Sequence, residues 1–346
     1  MLYVTTRNQR DLHTSFHALR EHTADRGGLF VPFQTVCFTQ DEVSSLKKKS
    51  FSQCVCDILN LFFAARLDPD DIECCMGTGP LKLVPMSHKI IIGEVWNNPE
   101  WSFSRFVRNL SGRILGSVDN GNPSSWTQIA VRIAVLFGIF GSLERIGVAD
   151  ADRPIDIAVC LGDFAGPMAA WYAREMGLPI KTIVFSCNEN SATWDLLHHG
   201  EASTAGPITS TQTPECDVVI PRNIERLVYH TLGNEETEKI ASVLSATGIY
   251  TLSEEKRRIL SDGLFGAVIG QNRTESIIRN VYRTSTYLLS PYTALAYGGL
   301  QDYRAATCET GSALIFSEYG PMISDEIVAK AIGISKEALL DRIRTI

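Results

Sequence analysis

Residues 155–190 read IDIAVCLGDFAGPMAAWYAREMGLPIKTIVFSCNEN. The apolar run 155–161 has the length and composition of a buried strand, and 162–166 is a glycine-containing turn. Residues 168–176 carry helical spacing that stops at Gly177 and Pro179. A second apolar run, 181–187, follows. Strand, helix and strand in this order predict a βαβ unit with parallel strands and helices on both faces of the sheet. The expected fold class is therefore α/β, a parallel twisted sheet between helical layers.

Upstream, an apolar run at 88–93 leads into GEVWNNPEWSFSRFVRNL at 93–110. An irregular turn at 97–100 separates that run from an amphipathic helix over 103–115, with the polar residues Ser104 and Arg105 just past the helix start. A strand, a turn and a helix N-terminus aim a side chain into a pocket, so Ser104 and Arg105 are candidate site residues. A turn-rich stretch, 116–123, follows, and Pro123 with two serines opens a long apolar helix over 126–146. At the chain start, 1–32 reads as a strand, a helix over 15–21, and a glycine turn before an extended segment ending at Pro32. Residues 40–80 alternate helical patterns with polar caps and show no chemistry. The expected organisation is a largely helical segment over 1–88 and a large α/β domain over 89–346.

Composition narrows the partners. The 346 residues carry a net charge of −7 with a pI near 5.6, and Lys47, Lys48 and Lys49 form the one short basic run. That excludes a broad basic face and with it nucleic acid. A hydrophobic fraction of 45% and a charged fraction of 21% are those of an ordinary globular chain. The opening MLYVTTRNQRD lacks the pattern of a secretory signal, and the absence of a run of about 18 apolar residues predicts no membrane span. Nine scattered cysteines predict reduced thiols and a cytoplasmic location. Cys54, Cys56, Cys74 and Cys75 have no second Cys or His pair beside them. His13 and His17 lie four apart without an adjoining glutamate, so no metal site is expected.

Several of these stretches resemble threonine synthases, the pyridoxal-phosphate (PLP) enzymes of fold type II. Residues 94–105 resemble the family's cofactor-lysine segment, E-L-F-H-G-P-T-x-A-F-K-D: Glu94, Pro99 and Phe103 match, Trp96 stands for the aromatic, and Asn97 and Asn98 replace His and Gly. YVTTRN and DRGGLFVP resemble Y-x-S-T-R-G and D-G-G-L-x-V-P at the family's start. Residues 162–190 resemble G-N-F-G-N-x-x-A-G…M-G-L-P and end on the family's N-E-N as Asn188-Glu189-Asn190. Residues 213–227 resemble S-P-S-M-D-I…N-F-E-R-L, 287–295 resemble Y-x-x-D-P-H-T-A-V, and 315–321 stand where L-A-T-A-H-P is found. The resemblance covers nearly the whole chain in order. It implies the large domain of that fold, with the small cofactor-capping domain deleted near 116–123, because no S-G-D-T-G loop occurs and 118–122 resembles the N-S-I-N at which the large domain resumes.

The resemblance also implies a changed site. PLP is the family cofactor, but Ser104 falls on the Schiff-base lysine and Arg105 on the following aspartate. Serine cannot form the imine, and no lysine occurs between Lys89 and Lys181. The phosphate loop becomes Gly162, Asp163, Phe164, Ala165 and Gly166. A carboxylate about 4 Å from a phosphate charge costs roughly 4 kcal/mol at an effective dielectric of about 20, and Asp163 reads equally as an N-cap. Ser290 and Tyr292 replace the aspartate and histidine of D-P-H-T-A, and Tyr319 replaces a histidine. Glu318 adds a negative charge, while Ser317 keeps the hydroxyl that faces the pyridine nitrogen. The ligand-binding candidates are thus Arg105, Gly162, Asp163, Phe164, Asn188, Tyr292 and Ser317, with no cofactor expected. The leading expectation is a threonine synthase-like binding or partner protein, a homodimer or a complex with another protein. A cofactor-free enzyme acting on a small amino-acid-like substrate and a residual PLP-dependent lyase remain as alternatives. The remodelled-pocket expectation pairs Arg105 with Asp163 across one cavity.

Overall fold

The computed structural model describes residues 1–21, 27–77, 81–96, 102–116, 122, 124–150 and 152–343. The turn expected at 97–100 and most of the junction at 116–123, where the deletion is expected, lie outside the described residues.

The chain opens with β1 (Leu2–Thr5), β2 (Asn8–Thr14), α1 (Ser15–Arg20) and β3 (Phe30–Pro32). β1 lies between the other two strands and pairs antiparallel with both. The sequence predicts β1, α1 and the extended β3, but not β2. NQRDLHT has no apolar alternation to announce a strand, and it is held by main-chain pairing to β1 instead. Then come α2 (Gln40–Ser44), α3 (Phe51–Phe63) and α4 (Pro69–Met76), capped by Thr39, Ser50 and Asp68. The helical reading of 40–80 holds there, while the wider 1–88 segment adds the small sheet and β4 (Lys82–Pro85).

β5 (Ile90–Glu94), α5 (Phe103–Leu115), α6 (Trp126–Arg145), β6 (Ile155–Cys160), α7 (Ala165–Glu175) and β7 (Ile180–Cys187) follow within a residue or three of the sequence-predicted bounds. Next are α8 (Ala192–His199), β8 (Glu201–Ser203), α9 (Ile224–Leu232), α10 (Asn234–Thr247), β9 (Ile249–Thr251) and α11 (Glu254–Leu260). β10 (Leu264–Val268), α12 (Gln271–Ser285), α13 (Pro291–Thr307), β11 (Ala313–Ser317), α14 (Asp325–Ile332) and α15 (Lys336–Ile343) close the described chain. The main sheet has the order β10-β7-β6-β11-β5-β4, parallel throughout except that β4 runs against β5.

Side chains along these strands alternate between two cores, as a sheet covered on both faces requires. Ile91, Ile157, Ile183 and Leu314 face a core shared with α3, α5, α6 and α7. Ile92, Ala158, Val184 and Ile315 face a second core built from α12, α13 and α14. α6 is long and apolar enough to cross a membrane, yet nearly all of it is buried inside the first core. Gly138 and Gly141 let other segments approach it: a methyl group at Gly138 would stand 2.6 Å from the Phe51 ring, and one at Gly141 would stand 2.9 Å from the Leu46 carbonyl oxygen.

Candidate functional site

β5, β6, β7 and β11 end at Glu94, Cys160, Cys187 and Ser317. The carboxyl ends of parallel strands are where open α/β sheets place their clefts. Most of the residues singled out from the sequence gather along this edge.

The loop after β6 turns through two left-handed residues, Gly162 at φ +48° and Phe164 at φ +61°. Such a φ is uncommon for a phenylalanine. It is held by the burial of the ring edge-on to Phe185, with centroids 5.8 Å apart, and by the Phe164 N–H donating to Leu161 O. Phe164, not Asp163, is the residue preceding α7, and no side chain caps that helix. The N-cap reading of Asp163 is therefore corrected. Its carboxylate instead accepts from Ser124 Oγ at 3.2 Å, Asn223 Nδ2 at 2.8 Å and the Arg222 N–H at 3.3 Å. Burial pushes the Asp163 carboxyl above its ordinary range, against the pull of these donors. Asn223 also binds the buried Arg226, which donates to Phe30 O and Ser124 O. The Gly162 N–H donates to Cys216 Sγ at 3.3 Å, so one donor of the loop is met by a thiol. Cys216 and burial together push the Cys160 thiol up.

The cation that stands at this loop is Arg132. It lies on α6, and Arg105 is exposed on α5 with its N–H on the capping Ser102 Oγ. The Asp163 partners named above do not include Arg105, so the expected pairing across one cavity gives way to a different one. Arg132 grips Glu318 with two bonds, Nε to Oε1 at 2.9 Å and Nη2 to Oε2 at 2.8 Å. Nη1 donates to Gln128 O and to Gln128 Oε1, and the guanidinium lies 4.2 Å from the Phe103 ring centroid. Both partners are buried. Burial works against the Arg132 charge, but the adjoining Glu318 carboxylate outweighs it and holds the guanidinium above its ordinary pKa. A methyl group at Gly166 would stand 3.2 Å from Glu318 Oε1, which puts that carboxylate against the first turn of α7.

Ser317 is buried at the end of β11, where its hydroxyl accepts from Trp96 Nε1 at 2.9 Å and lies 2.8 Å from Thr293 Oγ1. Ser290 caps α13 through the Thr293 N–H and also reaches the Thr293 hydroxyl. Tyr292 and Tyr319 pack ring on ring with centroids 4.3 Å apart. Burial, added to by the Glu318 charge, raises the Tyr319 phenol far above its usual value. Glu94, also buried, accepts from Tyr287 Oη at 2.5 Å, and burial raises its carboxyl. Asn188 is buried and serves the neighbouring segment: Nδ2 donates to Thr211 Oγ1, Thr213 Oγ1 and Asp217 Oδ1. Ser104 is exposed on the first turn of α5. Among the described residues no group of His, Cys, Asp and Glu is placed to hold a metal ion.

Arg132 and Gln128 were not singled out from the sequence. The signal was present: Arg132 is the one charged residue between Trp126 and Leu143, and a lone charge in an apolar helix needs a partner.

Comparison with known proteins places this architecture. The structure superimposes on PLP-bound threonine synthase from Brucella melitensis with a TM-score of 0.84 at 19% identity, over 96% of this chain and 92% of that one. It superimposes on yeast threonine synthase with a TM-score of 0.83 at 18% identity, over 96% and 90% of the two chains. The fold is that of the fold type II PLP enzymes. Residues 2–78 match the threonine synthase N terminus. Human threonine synthase-like 1 is 23% identical over 247 residues, which are 70% of this chain and 32% of that protein. Threonine synthase of Pseudomonas aeruginosa is 25% identical over 191 residues, 53% of this chain and 38% of that one. The chain thus spans about a third of the length of the curated relatives it matches, and it is similar to threonine synthases and to threonine synthase-like 1.

Proposed function

We propose that this threonine synthase-like chain does no PLP chemistry and serves as a binding or partner protein on the large-domain scaffold, its small capping domain lost near 116–123. The observation that carries the reading is the buried Arg132–Glu318 pair at the N-terminus of α7. A helix N-terminus is an anion site, and here a carboxylate of the protein itself lies against it. The residues present do not fit PLP. Ser104 stands at the family's lysine position and offers no amine, the Ser317 hydroxyl is engaged by Trp96 and Thr293, and Glu318 repels a phosphate.

The purified protein is expected to be colourless and to form no borohydride-trappable adduct with added PLP. An absorbance band of an internal imine that survives dialysis overturns the reading. Ser104→Lys is expected to leave this result unchanged, because the new amine does not clear Glu318 or Trp96 from the cleft.

A partner role draws support from the surface. Leu2, Leu12, Phe16 and Phe33 are 47–55% exposed, all within the N-terminal layer. Val268, the last residue of β10, and Ile323, in the turn after β11, are 39% and 51% exposed. Sedimentation is expected to show a homodimer or a stable complex, and a monomer at all concentrations counts against this part. A cytoplasmic location belongs to the same proposal.

A further inference from the structure

We infer that Glu318 is an internal anion occupying an oxyanion site made by Arg132, Gln128 and the first turn of α7, and that removing its carboxylate opens this site to a phosphate-sized ligand. The inference rests on the reading above and deepens it, by naming what holds the cleft closed and what chemistry the cleft would accept.

Three features converge. The α7 terminus is uncapped: Phe164 supplies no side-chain acceptor, so the N–H groups of Ala165 and Gly166 face an end without a capping oxygen, while Pro167 has no N–H and Met168 bonds to Phe164 O. Glu318 Oε1 lies within contact of that end, 3.2 Å from where a Gly166 methyl would be. Arg132 presents two N–H donors to it in the fork arrangement that suits a carboxylate and a phosphate equally. A separate observation points to a ligand. Gln128 is 2% exposed, and its Oε1 is fixed on Arg132 Nη1 at 2.8 Å, yet its Nε2 has no hydrogen-bond partner among the described residues. A buried amide donor normally has an acceptor. The Oε1 bond holds this amide beside the Arg132 guanidinium, where Glu318 does not meet its Nε2 and an oxyanion bound to Arg132 has further oxygens to offer it.

The competition is one of charge. With Glu318 present, an entering phosphate meets a carboxylate at the helix end and finds the Arg132 fork already filled. With Glu318 neutral or truncated, the buried guanidinium loses its hydrogen-bonded anion, and the carboxylate that remains near, Asp163, is already held by Ser124, Asn223 and the Arg222 N–H.

The test is titration of inorganic phosphate into wild-type protein, Glu318→Ala, Glu318→Gln and the double variant Arg132→Met/Glu318→Ala, read by calorimetry and by melting temperature. The expected result is saturable binding by Glu318→Ala, at least about tenfold tighter than by wild type, with a phosphate-dependent rise in melting temperature. The double variant is expected to lose both. If Glu318→Ala does not fold, Glu318→Gln, which keeps shape without charge, gives the same comparison. Wild type that binds phosphate as tightly as the folded Glu318 variant, a folded variant that does not bind, or binding that survives loss of Arg132 overturns the inference. Each of these outcomes is independent of the borohydride result on wild type, so this inference can fail while the proposed absence of PLP chemistry stands.

Discussion

At the scale of single residues, Arg132 and Glu318 set the energetics of the cleft. Taking either ion out of water costs several kcal/mol, recovered only while the two-bond geometry persists. Removing one partner strands the other, so Glu318→Ala measured in phosphate-free buffer is expected to lose about 3–5 kcal/mol in denaturant titration. Replacing both by methionine is expected to cost far less and to come out near neutral or more stable. Equal losses in the single and double variants would show that the pair is not a closed unit. Half of it was legible in the sequence. Glu318 stands out against the resemblance, and Arg132 stands alone in an apolar helix. Their pairing was not legible, because 186 residues separate them and only the sheet edge brings them together. In the sequence Arg105 stands out just past the helix start, at the place of the family's aspartate. On a helix, however, successive residues point about 100° apart, and Arg105 falls on the exposed face while Phe103 and Phe106 are buried.

At the scale of elements, apolar period and capping chemistry predict well where burial decides the structure. α5 runs over 103–115 as its amphipathic pattern requires, and α6 starts at Trp126 behind the Ser125 cap. α7 begins at Ala165, before the expected 168, because the two left-handed residues of the loop turn the chain sharply enough for the helix to start at once. The turn after β11 carries a constraint that no pattern announces. A methyl group on Gly320 would stand 2.6 Å from Trp96 Cε3, so only glycine lets the indole lie over this turn and reach Ser317. Gly320→Ala is expected to displace the indole, with a red-shifted Trp96 contribution to fluorescence and a loss of about 1–3 kcal/mol. Trp96→Phe in the Gly320→Ala background is expected to remove most of the additional loss, since the smaller ring relieves the overlap. An unchanged spectrum in Gly320→Ala would show that the indole does not depend on this glycine.

At the scale of the whole molecule, the N-terminal layer is fastened to α9. Thr6 Oγ1, Arg7 Nε and Arg7 Nη2 all donate to the Glu225 carboxylate, and Tyr3 joins Phe62 O to the Trp126 indole. Next to Glu225 on the same helix, the buried Arg226 binds Phe30 O of β3. The T-T-R-N and I-E-R-L stretches, legible as sequence patterns, are thus two halves of one joint. One turn further along α9, His230 packs against α7. Its ring stacks on Trp171 at 5.2 Å and meets Tyr172 and Tyr229 edge-on, and its Nε2 lies 2.6 Å from Tyr172 Oη. Burial, with the Arg226 charge adding to it, lowers the His230 pKa from 6.5 to about 4. The unfolded chain therefore binds a proton between pH 6.5 and about 4 that the folded chain does not, and stability falls as pH falls through that window. Full shielding would give about 1.4 kcal/mol per pH unit; the ring keeps some solvent contact, so a total loss of about 2 kcal/mol is expected across the window. Above pH 6.5 this group contributes no pH dependence. Denaturant midpoints of wild type and His230→Gln, measured from pH 7 to pH 4.5, separate its share from that of the carboxylates. The wild-type curve is expected to be steeper by up to one proton, and parallel curves would mean that the imidazole titrates alike in both states and that the α7–α9 joint does not exclude its charge.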